Sequence, residues 1–360
     1  MKRSFLHRAW LLPALIVGLA LSLPGCDAID DLRGNDGHVA DGLHPVLLDG
    51  EWGYVNNEGR MVIEPQFREA YAFVDGRARV RGPRSWRTGY INTRGELVID
   101  NQFEEGLNFS GGLAAVKFDG LWGYVNRDGA FIINPQFADP GPFHEGRAFV
   151  RDATEYDWNY IDPTGAVVRG LNTPEMERVD EADFAEGRAL IKADRSDDFG
   201  YIDRDGEPVI PTQYPDARAF SEGLAAVKVS DRWGYIDADQ RTVISPRFIE
   251  AGPFRNGLAP VRENTNTWGY ANSSGQIVIE PAFDEARPFA QGRAAVQVNG
   301  RWGFIDTAGR WIAEPQFDEV RAYYNGAARV HTITLDDEGD SITRIGYIDR
   351  DGRYLWFPTR

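Results

Sequence analysis

An aromatic-Gly-aromatic phrase recurs nine times, from Trp52-Gly53-Tyr54 to Ile345-Gly346-Tyr347, and this recurrence restricts the fold more than any other feature of the chain. The intervening copies begin at Thr88, Trp122, Trp158, Phe199, Trp233, Trp268 and Trp302; most successive copies lie 34 to 36 residues apart, with two longer intervals of 41 and 43. Self-similarity at such a period means a modular array, in which a unit too small to bury its own apolar face is completed by its neighbours. Length therefore counts repeats rather than domains.

Each repeat divides into short extended pieces. In the sixth, Leu224 to Val229 is a β-rich run (A), Trp233 to Asp237 a second (B) and Arg241 to Ile244 a third (C). Between B and C stands Asn/Asp-x-x-Gly, as in Asn56 to Gly59 and Asp349 to Gly352, with Gln240 replacing the glycine in the sixth repeat alone. The opening carboxylate or amide can bond backbone N–H groups, and glycine accepts the left-handed conformation of a tight turn. Asp203-Arg204-Asp205-Gly206 brushes a calcium-loop pattern but lacks its distal glutamate. After C comes a phrase such as Glu64-Pro65-Gln66-Phe67, then a second aromatic six residues on, such as Phe73. Proline blocks ladder pairing, so the connection is expected to turn a corner before a fourth extended piece (D).

On a strand, Trp302 and Phe304 point to one face and Gly303 and Ile305 to the other. The aromatics read as core, and the glycine as a place where another chain segment approaches closely. The phrases resemble the WG-repeat family of bacteria, and the match covers essentially the whole chain after residue 42. Phe143 to Val150, Phe220 to Val227, Phe254 to Val261 and Phe289 to Val296 repeat the family's closing phrase almost intact. The resemblance implies a repetitive β surface, often exported, and transfers no catalytic residue. The expected fold is all-β: a tandem array of about nine 34–36-residue units of three to four short antiparallel strands, forming a propeller-like ring or a superhelical β-solenoid.

The N-terminus reads as a secretory signal over residues 1–25: Lys2, Arg3 and Arg8, then an apolar stretch from Trp10 to Leu23. It ends in Leu23-Pro24-Gly25-Cys26, which resembles a bacterial lipobox, with Pro24 departing from the usual small residue. Cys26 is the only cysteine, so it forms no internal disulfide and is the expected lipidation site. Asp27 weakly favours inner-membrane retention. Residues 26–42 read as an acidic tether and 43–360 as the repeat domain. The chain carries a formal charge of -16, or -19 once the three basic residues of the signal are removed, which repels nucleic acid and anionic headgroups. No membrane contact beyond the lipid anchor is expected.

Two departures from regularity carry the functional expectation. Counting from the end of A to the motif aromatic, the A–B turns hold 5, 7, 5, 7, 7, 5, 6, 5 and 14 residues. Equivalent turns of an array gather on one rim, and loops on rigid scaffolds are where binding sits. The last turn, His331 to Arg344, reads as a hairpin of its own, and His331, Asp336, Asp337, Glu338 and Asp340 form the candidate binding surface for another envelope protein, a basic one by the charge of these acids. The fourth repeat has Asn159 for Gly, Pro174-Glu175-Met176 for Pro-Gln-Phe, and a crowd of acids at Glu175, Glu177, Asp180, Glu181, Asp183 and Glu186, which reads as a bend or an acidic docking patch. The alternative function is a glycan or peptidoglycan module using Trp86, Trp311 and Trp356. No catalytic motif is present, and neither cofactor nor metal is expected.

Overall fold

The computed structural model describes residues 42–154, 157–168, 183–193, 196–263, 266–336 and 338–359, so the expected signal segment, Cys26 and most of the expected tether lie outside the described residues. Strands account for all regular structure among them, grouped in eight antiparallel sheets. Eight sheets carry nine motif copies because one six-stranded sheet holds repeats 3 and 4, where strand C of repeat 3 (Phe131–Asp139) runs on without a break into pairing with Ala148–Asp152.

Strand order within a sheet follows the chain but is offset from the repeat by one strand. Piece D pairs with strand A of the following repeat: Glu285–Ala286 lies beside Arg293–Val298, followed by Arg301–Asp306 and Trp311–Phe317. Repeats 1, 2, 6, 7 and 8 therefore each start the next sheet, whereas the sheets of repeats 1, 5 and 6 hold strands A to C alone among the described residues. Phe67 and Phe73, six residues apart in the chain, sit in adjacent sheets and both meet Tyr54, at 6.5 and 4.9 Å.

Strand B is buried on both sides, and its alternation feeds two cores. Trp302 and Phe304 join repeat 9 in one cluster, whereas Ile305 joins Tyr270, Ile279 and Phe283 of repeat 7 in another. The apolar area thus lies between sheets, which is why a unit of this size holds only within the array. A tyrosine–phenylalanine edge contact recurs at these junctions, as in Tyr90–Phe109, Tyr235–Phe254 and Tyr270–Phe289 at 4.8 to 5.1 Å. The tyrosine hydroxyls donate across the same gap to the D segment, Tyr235 to the Gly252 carbonyl and Tyr270 to the Arg287 carbonyl, both at 2.8 Å.

The proline phrase lies inside strand C rather than at the C–D corner. Trp302 pairs with Phe317 and Phe304 with Ala313, so Glu314-Pro315-Gln316 bulges out of the ladder over Gly303. A Cβ on Gly303 would lie 2.6 Å from the Ala313 carbonyl oxygen and 2.9 Å from the Pro315 nitrogen. Proline and glycine are one device: the bulge that tolerates a residue without an N–H also covers the position that must lack a side chain.

The ring closes, which rules out an open superhelix. Leu43, Val46 and Trp52 of the first sheet share a core cluster with Ala327, Ile345 and Tyr347 of the last. The Tyr347 hydroxyl donates 2.8 Å to the Pro45 carbonyl. The sheets stand as the blades of a closed β-propeller.

Candidate functional site

The turns of the ring fall on two faces. On one face lie the D–A and B–C turns, and they are tied from sheet to sheet. The Glu145 carboxylate accepts the N–H groups of Glu186 and Gly187, Glu186 accepts Gly223 N–H, Glu222 accepts Asn256 and Gly257, Asn256 accepts Gly292, and Gln291 accepts Gly326. Burial opposes ionisation of Glu145, but the Arg204 guanidinium and the Gly187 N–H overcome it and hold its carboxyl below the ordinary value. Arg147 and Arg293 reach from D–A turns to the Arg204 and Arg350 carbonyls in the B–C turns of the following sheets. In those B–C turns, Asp203 Oδ1 accepts Asp205 and Glu207 N–H, so the segment that brushes a calcium-loop pattern carries turn chemistry.

On the other face lie the A–B turns and the C–D corners. Asp284 at a corner accepts Asn299 N–H in the A–B turn of its own sheet, and Asp318 accepts Ile333 N–H. This face carries the variation in length: two-residue turns at Asp49-Gly50, Asp119-Gly120 and Asn299-Gly300, all with positive φ, against the long hairpin of repeat 9.

The insertion is a hairpin, as its sequence implies: Ala327–Leu335 pairs with Ser341–Asp349 in unbroken register from Ala327↔Asp349 to Leu335↔Ser341. Its tip repeats the scaffold's own turn chemistry, with Asp336 Oδ1 accepting the N–H groups of Glu338 and Asp340 and Gly339 at φ 88°. Glu338 and Asp340 are exposed, and Asp337 lies outside the described residues. Ile333 and Leu335, at 50% and 69% exposure, add an apolar flank that the sequence reading did not include.

His331 does not belong to that surface. It is 4% exposed, with Nδ1 3.4 Å from Glu319 Oε2, and its burial, assisted by the Arg329 charge, depresses its pKa to about 4 despite Glu319. Strand alternation turns His331 inward, where the hairpin is still part of the sheet. Of the acids of repeat 4, Asp183 lies 3.5 Å from His144 and Glu186 accepts the Gly223 N–H, while Glu175, Glu177, Asp180 and Glu181 lie outside the described residues.

The three tryptophans of the glycan reading are not neighbours. Trp86 is 65% exposed on the A–B turn of repeat 2, Trp311 stands edge-on to Phe283 at 6.0 Å on strand C of repeat 8, and Trp356 packs against the cluster joining the last sheet to the first.

Fold and rim together define a repeat propeller with one tied face and one variable face. The chain belongs to the family of the WG containing repeat, whose model matches residues 52–81, 89–122, 122–152, 199–233, 233–265, 268–302 and 302–330. The matches skip the fourth motif, where Asn159 replaces the glycine. No protein of curated function matches the sequence. Among solved structures, the chain is similar to BamB from Moraxella catarrhalis (15% identity, 88% of this chain and 93% of that one, TM-score 0.39). It is also similar to apo AztD from Citrobacter koseri (12%, 75% and 92%, TM-score 0.38) and to the extracellular domain of BT4673 from B. thetaiotaomicron (10%, 80% and 55%, TM-score 0.36).

Proposed function

We propose that the protein is a non-enzymatic interaction scaffold of the cell envelope, anchored through lipid on Cys26, and that it holds a protein partner on its A–B face. The observation that carries this reading is the repeat 9 hairpin. Its strands extend past the sheet, expose Ile333 and Leu335, and end in Glu338 and Asp340. An apolar flank beside an acidic tip suits a partner with a basic rim around an apolar spot. The opposite face supports the same assignment, because its turns are occupied in joining sheet to sheet.

The test replaces Ile333 to Thr343 by Asn-Gly, which leaves the buried His331 and the Thr332↔Arg344 pair in place. In cells expressing the anchored protein, the partner captured by cross-linking should disappear with the trimmed hairpin. It should weaken with salt and with Glu338→Lys/Asp340→Lys. A partner retained through all three changes would sink the hairpin assignment. For the anchor, Cys26→Ala should move the protein from the detergent phase to the aqueous phase on Triton X-114 partition, and no movement would refute lipidation.

A further inference from the structure

Repeat 2 departs from the repeat pattern at three places, and the structure joins them. The motif tryptophan is replaced by the buried Thr88; a tryptophan stands two residues earlier, as the exposed Trp86; and the bulge proline of strand C is replaced by Asn101. The Asn101 amide donates to the Val80 carbonyl at 3.2 Å and to the Arg87 carbonyl at 2.9 Å, so it clasps both ends of the A–B loop from Gly82 to Arg87. Ser85 accepts the Arg87 N–H at 3.1 Å, and Arg87 Nη1 donates to the Gln102 carbonyl at 2.7 Å. A surface tryptophan is thus held by its own set of bonds.

Arg68, at the C–D corner, lays its guanidinium over Trp86, 3.6 Å from the ring centroid. Stacking uses the face of the guanidinium and leaves its in-plane N–H groups pointing outward. Neither Arg68 nor Arg84 makes a side-chain hydrogen bond or ion pair among the described residues, while the neighbouring carboxylate, Glu69, is taken by Arg81 at 3.1 Å and by the Tyr71 hydroxyl. At other corners the same rim position carries an acid that braces its own turn, Asp284 and Asp318. In a chain of 55 acids and 39 bases, two unpaired arginines beside a fixed, exposed indole form a local reversal of sign.

We propose that this loop, with Arg68, Arg84 and Trp86, is a docking site for an acidic peptide segment of a partner protein. The Arg68 edge takes a side-chain carboxylate in bidentate fashion, Arg84 takes a second, and the indole packs against the aliphatic part of the segment. The proposal rests on the reading of the A–B face as the interaction surface and places on it a second site of opposite charge to the hairpin tip. The net charge of the whole molecule opposes an acidic ligand only at long range. At physiological salt, screening over about 8 Å leaves the local arginines to decide.

A fluorescein-labelled hexaglutamate peptide, followed by anisotropy at 150 mM salt, is the probe, with hexalysine as its sign control. Saturable binding of hexaglutamate is expected, at least tenfold weaker in Arg68→Ala and in Trp86→Ala, together with a change in tryptophan emission that Trp86→Phe abolishes. Asn101→Pro, which restores the residue found in most other repeats, should weaken binding while leaving the unfolding transition in place. Equal binding of hexalysine, or hexaglutamate binding unchanged in both alanine variants, overturns the proposal. So does a dimer in sedimentation that is lost equally in Arg68→Ala and Glu338→Lys, because the occupant would then be the hairpin of a second copy. Failure of the peptide assay alongside a partner still lost on hairpin trimming removes this site and leaves the hairpin reading standing.

Discussion

The junction between repeats 7 and 8 and the seam between repeats 9 and 1 solve the same problem with different parts. At the internal junction, Tyr270 meets Phe289 edge-on at 4.9 Å and donates to a carbonyl of the incoming D segment, and Gly309 of the B–C turn rests against the Ile279 side chain. At the seam the first sheet has three strands and no D strand among the described residues. Tyr347 finds the Pro45 carbonyl instead, its ring partner is His44 at 5.1 Å rather than a phenylalanine, and Gly59 faces the Leu355 backbone rather than an isoleucine side chain. The seam keeps the hydrogen bond and exchanges apolar contact for polar contact. His44 in turn bonds Asn57 at 2.8 Å, and Arg329 sits over the Trp52 ring. A ring closed this way is expected to yield first at its polar joint.

The sharpest break between the two joints comes from their turn glycines. A Cβ at Gly59 would fall on the Leu355 carbonyl oxygen, at a backbone φ of +72°. Backbone cannot move aside as a side chain can, so Gly59→Ala should cost about 3 kcal/mol or more. At Gly309, with φ +76°, the obstacle is the Ile279 side chain at 3.3 Å, and Gly309→Ala should cost about 1–2 kcal/mol. Urea unfolding of the two variants measures the difference, and equal losses would mean that the seam is no more rigidly specified than an internal junction.

Acid should act mainly on repeats 9 and 1. Burial, then the Arg329 charge, lowers His331 from 6.5 to about 4, and burial moves His44 in the same direction. The unfolded chain therefore takes up the proton more readily. The stability tied to neutral His331 is complete above pH 6.5 and is lost as pH falls toward 4, by about 2 kcal/mol at pH 5. Unfolding midpoints at pH 7.5 and pH 5 should diverge in the native protein and converge in His44→Gln/His331→Gln. Parallel midpoints in both proteins would place the acid-sensitive groups elsewhere.

Removing one hydroxyl tests whether the shared device has equal weight at both joints. Tyr347→Phe leaves the Pro45 carbonyl without its donor in a buried setting, and Tyr270→Phe does the same to the Arg287 carbonyl, at about 1–2 kcal/mol each. The chain already tolerates one such loss: Phe304 lacks the hydroxyl, and Tyr323, its edge partner, carries one that donates to the Asp349 carbonyl. A much larger cost at Tyr347 would show that the seam leans on this bond more than an internal junction does.

Repetition made the strands, the turn chemistry and the packing role of Trp, Gly and Tyr legible, because each recurs with its reason attached. Three features were not legible, for separate causes. The offset of piece D into the following sheet depends on pairing between repeats, and nothing in a single copy distinguishes it from pairing within one. The placement of Pro315 inside strand C depends on two extra residues in the B–C register, which reveal themselves only opposite Gly303. His331 was grouped with the acidic tip by sequence proximity, although it precedes the point where the hairpin leaves the sheet and alternation turns it inward. Asn101 carries a signal in the sequence: with Thr212 it is one of two polar residues in a column otherwise held by proline, and it alone is matched to a long loop and a displaced tryptophan.

The smallest effect comes from an internal irregularity. Gln240 stands at φ 63° where the equivalent turns have glycine, and its side-chain amide donates to the Tyr214 hydroxyl at 3.2 Å, reaching back to the preceding repeat. A left-handed non-glycine residue costs about 1–2 kcal/mol in backbone conformation, whereas a hydrogen bond between partly buried neutral groups returns about 0.5–1.5 kcal/mol. Gly also loses more chain entropy on folding, which takes back part of any gain. Gln240→Gly should therefore change stability by no more than about 1 kcal/mol, on the stabilising side. Gln240→Ala, which keeps the strain and removes the bond, should destabilise by about 1 kcal/mol. A stabilising Gln240→Ala would mean that the reach to Tyr214 contributes nothing, and that the sixth turn differs from the seam in kind: at the seam the polar substitutes hold the ring shut, while here the substitute is only tolerated.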